Sequence, residues 1–182
     1  MYPFTKTVST KKFTKGLSNT CSYIIIHHTA TPGFESNVKY LSEWNAQASV
    51  HFVIWPDEEV AKIGDPKMIT WHAGQSERWN LSWMNKYSLW IEVVWTGQYN
   101  TKQLIRLTDL VEYLMKVYNI PKENVLTHAD ICQRWDFSKK KILWDWKRAS
   151  RKVDIAKSFF PMWFETRRNQ LTPRTQSRYW SI

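Results

Sequence analysis

The apolar positions of this chain switch between strand-like and helix-like spacing. Tyr23-Ile24-Ile25-Ile26-His27-His28 is an unbroken apolar run closed by imidazoles, which predicts a buried strand. Ser36–Ala46 predicts a helix: Val38, Leu41 and Trp44 or Asn45 recur at helical spacing, and Ser36 is placed to cap it. His51–Trp55 and Val60–Ile63 bracket Pro56-Asp57-Glu58-Glu59 and predict a hairpin turning at Pro-Asp. Ser88–Trp95 predicts a second buried strand. Thr101–Tyr118 carries the clearest helical stripe, formed by Leu104, Leu107, Val111, Leu114 and Val117 or Tyr118, with Leu110 beside it. Asn100 suits its N-cap, and Gln103 is placed to bond back in a variant of the capping box. Val125–Thr127 predicts a short strand, and Ile142–Ala149 and Ile155–Trp163 are helical candidates.

Strands interleaved with helices predict an α/β or α+β fold with one central mixed sheet flanked by helices. At 182 residues one domain is expected, over residues 21–164. Residues 1–20 show no periodic apolar pattern and read as a basic arm; residues 165–182 read as a basic tail. No stretch approaches the roughly 18 apolar residues of a membrane span. The polar, basic start of the chain does not read as a secretory signal, so a cytoplasmic protein, or one released by a separate lysis or export route, is expected. Cys21 and Cys132 read as free thiols.

The formal charge of +10 adds one consideration. Lys6, Lys11, Lys12, Lys15 and the cations from Lys139 to Arg178 read as solvated tails, or as attraction to a polyanion such as nucleic acid or an anionic wall polymer.

The candidate chemistry lies in the histidines. His27 and His28 close an apolar strand, and strand side chains alternate faces, so only one of them serves a given site. His128 follows a second short apolar strand, with Asp130, Cys132 and Asp136 beyond it. Two His and one carboxylate are a known ligand set for catalytic zinc, which keeps its fourth position open. Cys132 also stands at a plausible spacing from His128, Asp130 also reads as a cap, and His51 and His72 are further imidazoles. Spacing alone leaves the third ligand open.

Five ordered segments carry a resemblance. They are Ile24-Ile25-Ile26-His27-His28-Thr29-Ala30-Thr31-Pro32, Ala48-Ser49-Val50-His51-Phe52-Val53-Ile54, Thr70-Trp71-His72-Ala73-Gly74, Tyr87-Ser88-Leu89-Trp90-Ile91-Glu92-Val93-Val94 and His128-Ala129-Asp130-Ile131. From about Tyr23 to Lys147 the chain resembles the type-2 N-acetylmuramoyl-L-alanine amidases, a family that includes phage lysozyme-like amidases, cytosolic muropeptide amidases and peptidoglycan recognition proteins. The resemblance implies Zn²⁺ held at the strand ends by His27, His128 and Asp136. It implies Glu92 as the general acid–base and Arg134 as the oxyanion-stabilising cation. It implies cleavage between N-acetylmuramic acid and L-alanine in peptidoglycan or muropeptides; a monomer is expected. Val50 replaces a Tyr found in some members, and Asp136-Phe137-Ser138 stands where Asp-Pro-Gly is common. Competing readings are a non-catalytic peptidoglycan-binding module of the same fold and a basic nucleic-acid-binding protein.

One departure is compositional. Gly accounts for 5 of 182 residues and Trp for 12, whereas an average chain carries about 7% Gly. Trp90 stands where the family has Gly in its Ile-Gly-Ile-Glu strand, and Trp83 and Trp95 fall in turn-like contexts. Either the protein is rich in sugar-stacking indoles, or some of these letters are UGA codons that the cell reads as glycine.

Overall fold

The computed structural model describes residues 4–10, 12–28, 34–43, 48–74, 76–94 and 99–131. The isoleucine run forms β3 (Tyr23–His28), every residue of it buried. It is preceded by β1 (Lys6–Thr7) and β2 (Thr14–Ser18) and followed by α1 (Phe34–Ser42). The hairpin expected around Pro56-Asp57 forms as β4 (Phe52–Ile54) and β5 (Val60–Lys62), paired antiparallel. Three short strands come next, β6 (Met68–Ile69), β7 (Glu77–Arg78) and β8 (Leu81–Ser82), then the buried β9 (Ser88–Val93). The long helix is α2 (Thr101–Tyr118), and the described chain closes with β10 (Val125–Thr127) and the single turn α3 (His128–Ile131).

The central sheet is mixed and six-stranded, in the order β1-β5-β4-β9-β3-β10. All its pairs are parallel except the β4/β5 hairpin. Parallel strands buried on both faces read as continuous apolar runs, which is why β3 and β9 show no alternation in sequence.

The two sheet faces carry different cores. On one, Ile24, Ile26, Leu89, Ile91, Val93, Phe52 and Ile54 pack against Leu104, Leu107, Leu110, Val111 and Leu114 of α2. Each such buried side chain contributes roughly 1.5–3 kcal/mol. On the other, Val53, Trp55 and Trp90 meet Val38 and Leu41 of α1, while Tyr23, Ile25 and Leu126 meet Ala73, Met84 and Ile131. The sheet faces thus sort the odd from the even residues of β3.

The termini of α2 agree with its sequence, with one difference. Asn100 Oδ1 accepts the Gln103 N–H at 2.8 Å, as an N-cap should. The Gln103 side chain does not bond back; its amide donates to Val94 O at 2.7 Å and so ties the helix start to the end of β9. Tyr118, and not the exposed Val117, continues the apolar stripe.

Other differences from the sequence reading are local. The segment read as an arm contributes β1 to the sheet edge and β2 to a separate pairing with β6. Here the backbone supplies the order: Thr5 and Val8 donate their N–H groups to Val60 O and Lys62 O, at 2.9 and 2.7 Å. Helix α1 begins at Phe34, so Ser36 lies within it and not at its cap. The helical candidates at 142–149 and 155–163, the tail from 165, and Trp44 and Trp95 lie outside the described residues.

Candidate metal centre

The site is built on the sheet face that α2 does not cover. In the parallel β3/β9 pair, Ile25 stands opposite Trp90 and His27 opposite Glu92. Opposed residues on neighbouring strands project to the same side, so His27, Trp90 and Glu92 share one face. Glu92 is also opposite Val53 of β4, which places it in the interior of the sheet and not at an edge, with 5% exposure. A carboxylate in such an apolar setting carries a large desolvation cost, which makes it a candidate for function.

His28 points the other way, as the alternation requires. Its Nδ1 meets the Tyr99 hydroxyl at 2.9 Å, on the side of α2. His27 is therefore the strand-end imidazole available to the site.

His128 does not end β10; it opens α3 directly after it. Asp130 shapes this junction, its Oδ2 accepting both the Thr127 N–H at 2.7 Å and the Thr127 hydroxyl at 2.8 Å. Asp130 is thus the cap of the turn that aims His128. Because β10 lies beside β3, the two rings meet: His128 Nδ1 and His27 Nδ1 are 2.8 Å apart. Two ring nitrogens at this distance need a shared proton or a cation between them.

A third imidazole joins from the loop before β7. His72 Nδ1 lies 3.3 Å from His27 Nε2, and the Ser88 hydroxyl lies 3.0 Å from His72 Nε2. The Trp90 ring tilts against both, with centroids 4.3 Å from His27 and 4.7 Å from His72. Sequence reasoning singled out the Thr70–Gly74 segment but gave His72 no role; a loop histidine offers no periodicity from which to place it.

His51 is taken up by the fold. It is fully buried; its Nδ1 accepts the Trp90 N–H at 3.0 Å, so its Nε2–H donates to Met68 O at 3.0 Å. Burial pushes its pKa down to about 4, against the opposing pull of the Met68 carbonyl and the Asp65 carboxylate, and the ring stays neutral. Cys21 is likewise structural: burial, then the Asp65 charge, raise its thiol to about 11 despite Lys67, and its Sγ contacts Pro66 O.

Asp136, Arg134 and Cys132 lie outside the described residues. Among the described residues no group of three His, Cys, Asp or Glu could hold a metal ion. The donor set nonetheless fits zinc as a pair: neutral imidazoles bind zinc well through a ring nitrogen, and two such ligands on a tetrahedral ion sit about 3.3 Å apart. The observed 2.8 Å needs only a small opening to reach that spacing.

Residues 17–141 match the profile of the family described as N-acetylmuramoyl-L-alanine amidase. The chain belongs to that family. Solved structures with the same fold include the selenomethionine derivative of AmpD, at TM-score 0.62 and 20% identity over 79% of this chain and 92% of AmpD. They also include the N-acetylmuramyl-L-alanine amidase AmiD from E. coli, in complex with the substrate anhydro-N-acetylmuramic acid-L-Ala-D-γ-Glu-L-Lys. That likeness has TM-score 0.57 and 23% identity over 78% of this chain and 60% of AmiD. AmpDh3 from Pseudomonas aeruginosa, in complex with anhydromuramic pentapeptide, gives TM-score 0.57 and 22% identity over 91% of this chain and 74% of its own. No curated protein sequence matches the chain. Among the described residues of this amidase-family member, no helix is long and apolar enough to cross a membrane.

Proposed function

We propose that this protein is a zinc-dependent amidase that hydrolyses the bond between the lactyl group of N-acetylmuramic acid and L-alanine, in peptidoglycan or its fragments. The carrying observation is the 2.8 Å approach of His27 Nδ1 to His128 Nδ1 on the sheet face that also bears the buried Glu92. Family membership and the muropeptide complexes of AmiD and AmpDh3 support the substrate class.

His27 and His128 would hold the ion, with Asp136 as the third ligand by its match to the family pattern. Zinc bound there supplies a Lewis acid for the amide carbonyl and acidifies water. A Glu92 carboxylate oxygen accepts the proton of the attacking water and returns it to the leaving amine nitrogen. The products are the lactyl carboxylic acid and the free α-amine of L-alanine. General acid–base catalysis of this kind contributes about 10²–10⁴-fold. Arg134, permanently cationic, stabilises the negative charge that develops on the carbonyl oxygen.

The test is metal analysis joined to product analysis on whole sacculi and on soluble muropeptides. The expected result is about one zinc per chain, chelator-sensitive release of L-alanine-terminated peptides, and a preference that tells wall degradation from muropeptide recycling. Zinc-loaded protein that binds sacculi without cleaving them would be a binding module. Zinc-free protein that shifts nucleic acid in a salt-dependent manner would refute the amidase reading altogether.

A further inference from the structure

His27 has two nitrogens, and its use as a ligand depends on which one carries the proton. The Ser88 hydroxyl donates to Met84 O at 2.7 Å. Its only proton is thereby used, so at 3.0 Å it accepts Nε2–H from His72. A neutral imidazole protonated at Nε2 has a bare Nδ1, which at 3.3 Å accepts Nε2–H from His27. His27 Nδ1 is then the bare atom, and it is the one turned toward His128. The His72 backbone is pinned as well, since its N–H and that of Ala73 both donate to Asn85 Oδ1 at 3.2 and 2.9 Å.

We propose that His72 is a positioning residue: through the chain Met84 O–Ser88–His72 it locks His27 in the Nε2–H tautomer, with an unprotonated Nδ1 facing His128 as a metal ligand would. The inference rests on the zinc reading for its consequence, but the tautomer can be read without zinc. Hydrogen-bond partners of this kind typically influence metal affinity by about 10–100-fold.

The experiment uses the full chain. Nitrogen NMR of the metal-free protein should show His27 protonated at Nε2, and His72→Leu should leave a mixture of tautomers. Calorimetric zinc affinity should fall about 10–100-fold in His72→Leu and recover in part in His72→Gln, whose side-chain oxygen can accept the same proton. Ser88→Ala should loosen the tautomer while keeping zinc, and thermal melting identifies any variant that misfolds. An unmixed His27 tautomer in folded His72→Leu, with wild-type zinc affinity, overturns the proposal. Wild-type protein that takes up no zinc but shows the locked tautomer refutes the amidase reading and leaves His72 in its role.

A second inference rests on backbone conformation. Trp79 and Trp83 have φ of 53° and 63°, in the left-handed region where Gly74 also lies at 60°. A bulky side chain there is a true outlier, because Cβ crowds the following carbonyl. The two indoles are 75% and 58% exposed, so no core packing offsets that strain; the Arg78 guanidinium and Lys86 ammonium lie over them instead. Trp90 is different: it is buried against His27 and His72, and its indole N–H finds no acceptor among the described residues. A chain with 5 Gly and 12 Trp carries both anomalies at once.

We infer that positions 79, 83 and 90 are glycine in the protein as its own cell makes it. Peptide sequencing by mass spectrometry across Glu77–Val93 of natively produced protein should read glycine at all three. In recombinant protein, Trp79→Gly and Trp83→Gly should each raise the melting temperature, and Trp79→Ala should not, since alanine retains the Cβ that the backbone disfavours. Tryptophan at 79 or 83 in native protein overturns the inference, as does an equal gain from alanine. Tryptophan at 90 overturns it for the metal corner.

Discussion

His27 Nδ1 and His128 Nδ1 lie 2.8 Å apart although the two residues are 101 positions apart in the chain. The parallel pairing of β3 with β10 brings them together, and the Asp130 cap fixes the approach of the second ring. Removing either ring should remove the ion. His27→Ala and His128→Ala are expected to lose bound zinc and turnover together, measured by elemental analysis and peptide release. Full zinc retention in either variant takes that residue out of the ligand set.

Asp136 and Cys132 are the rival candidates for a third ligand in the proposed zinc site. Asp136→Ala should lose zinc, and Cys132→Ser should keep it. The opposite pattern would mean that His128 and Cys132 clasp the ion across one turn, with the following loop playing no part.

Glu92→Gln separates chemistry from metal binding, since it preserves shape and removes the proposed base. Zinc content and muropeptide affinity should persist while turnover falls by roughly 10²–10⁴-fold. Near-wild-type turnover would make Glu92 a structural residue and send the search for the base elsewhere.

His51 predicts an acid limit to stability. Its folded pKa of about 4 lies below the ordinary 6.5, so the unfolded chain binds the proton more readily between these values. Stability is therefore complete above about pH 6.5, declines as pH falls through this window and levels off below about pH 4. The full swing is about 3 kcal/mol for a ring buried this deeply. Urea titrations of wild-type protein at several pH values, against His51→Gln, should show this slope in the first and lose most of it in the second.

Some of this was legible in sequence because local pattern and tertiary role coincide. The isoleucine run of β3 needs burial on both faces, and only a central strand provides it. Asn100 and the leucines of α2 announce a helix that packs on one side. Residues Lys6–Thr7 announce nothing, being exposed and held at the sheet edge through backbone bonds to the β4/β5 hairpin, with Phe4 stacked on Phe52 at 5.6 Å. Of the candidate site, His27 and His128 stand out in sequence as imidazoles that follow apolar runs, and the family resemblance points to Glu92 within β9. His72 lies on a loop whose path is set by Asn85 and Ser88, contacts that no spacing rule encodes.

The consecutive histidines of β3 make this strand unusually sensitive to length. Strand side chains have a period of two, so sliding β3 by one residue against β9 would exchange the rings, sending His28 toward His128 and His27 toward Tyr99. The composition of the strand would be unchanged, and both rings would still be buried. Substitutions within it are mild by comparison, Ile→Val costing about 0.5–1.5 kcal/mol. Sequence drift here should consequently run through exchanges of one apolar side chain for another, whereas a single-codon insertion or deletion between Cys21 and His27 would turn His27 away from His128 and present His28 in its place.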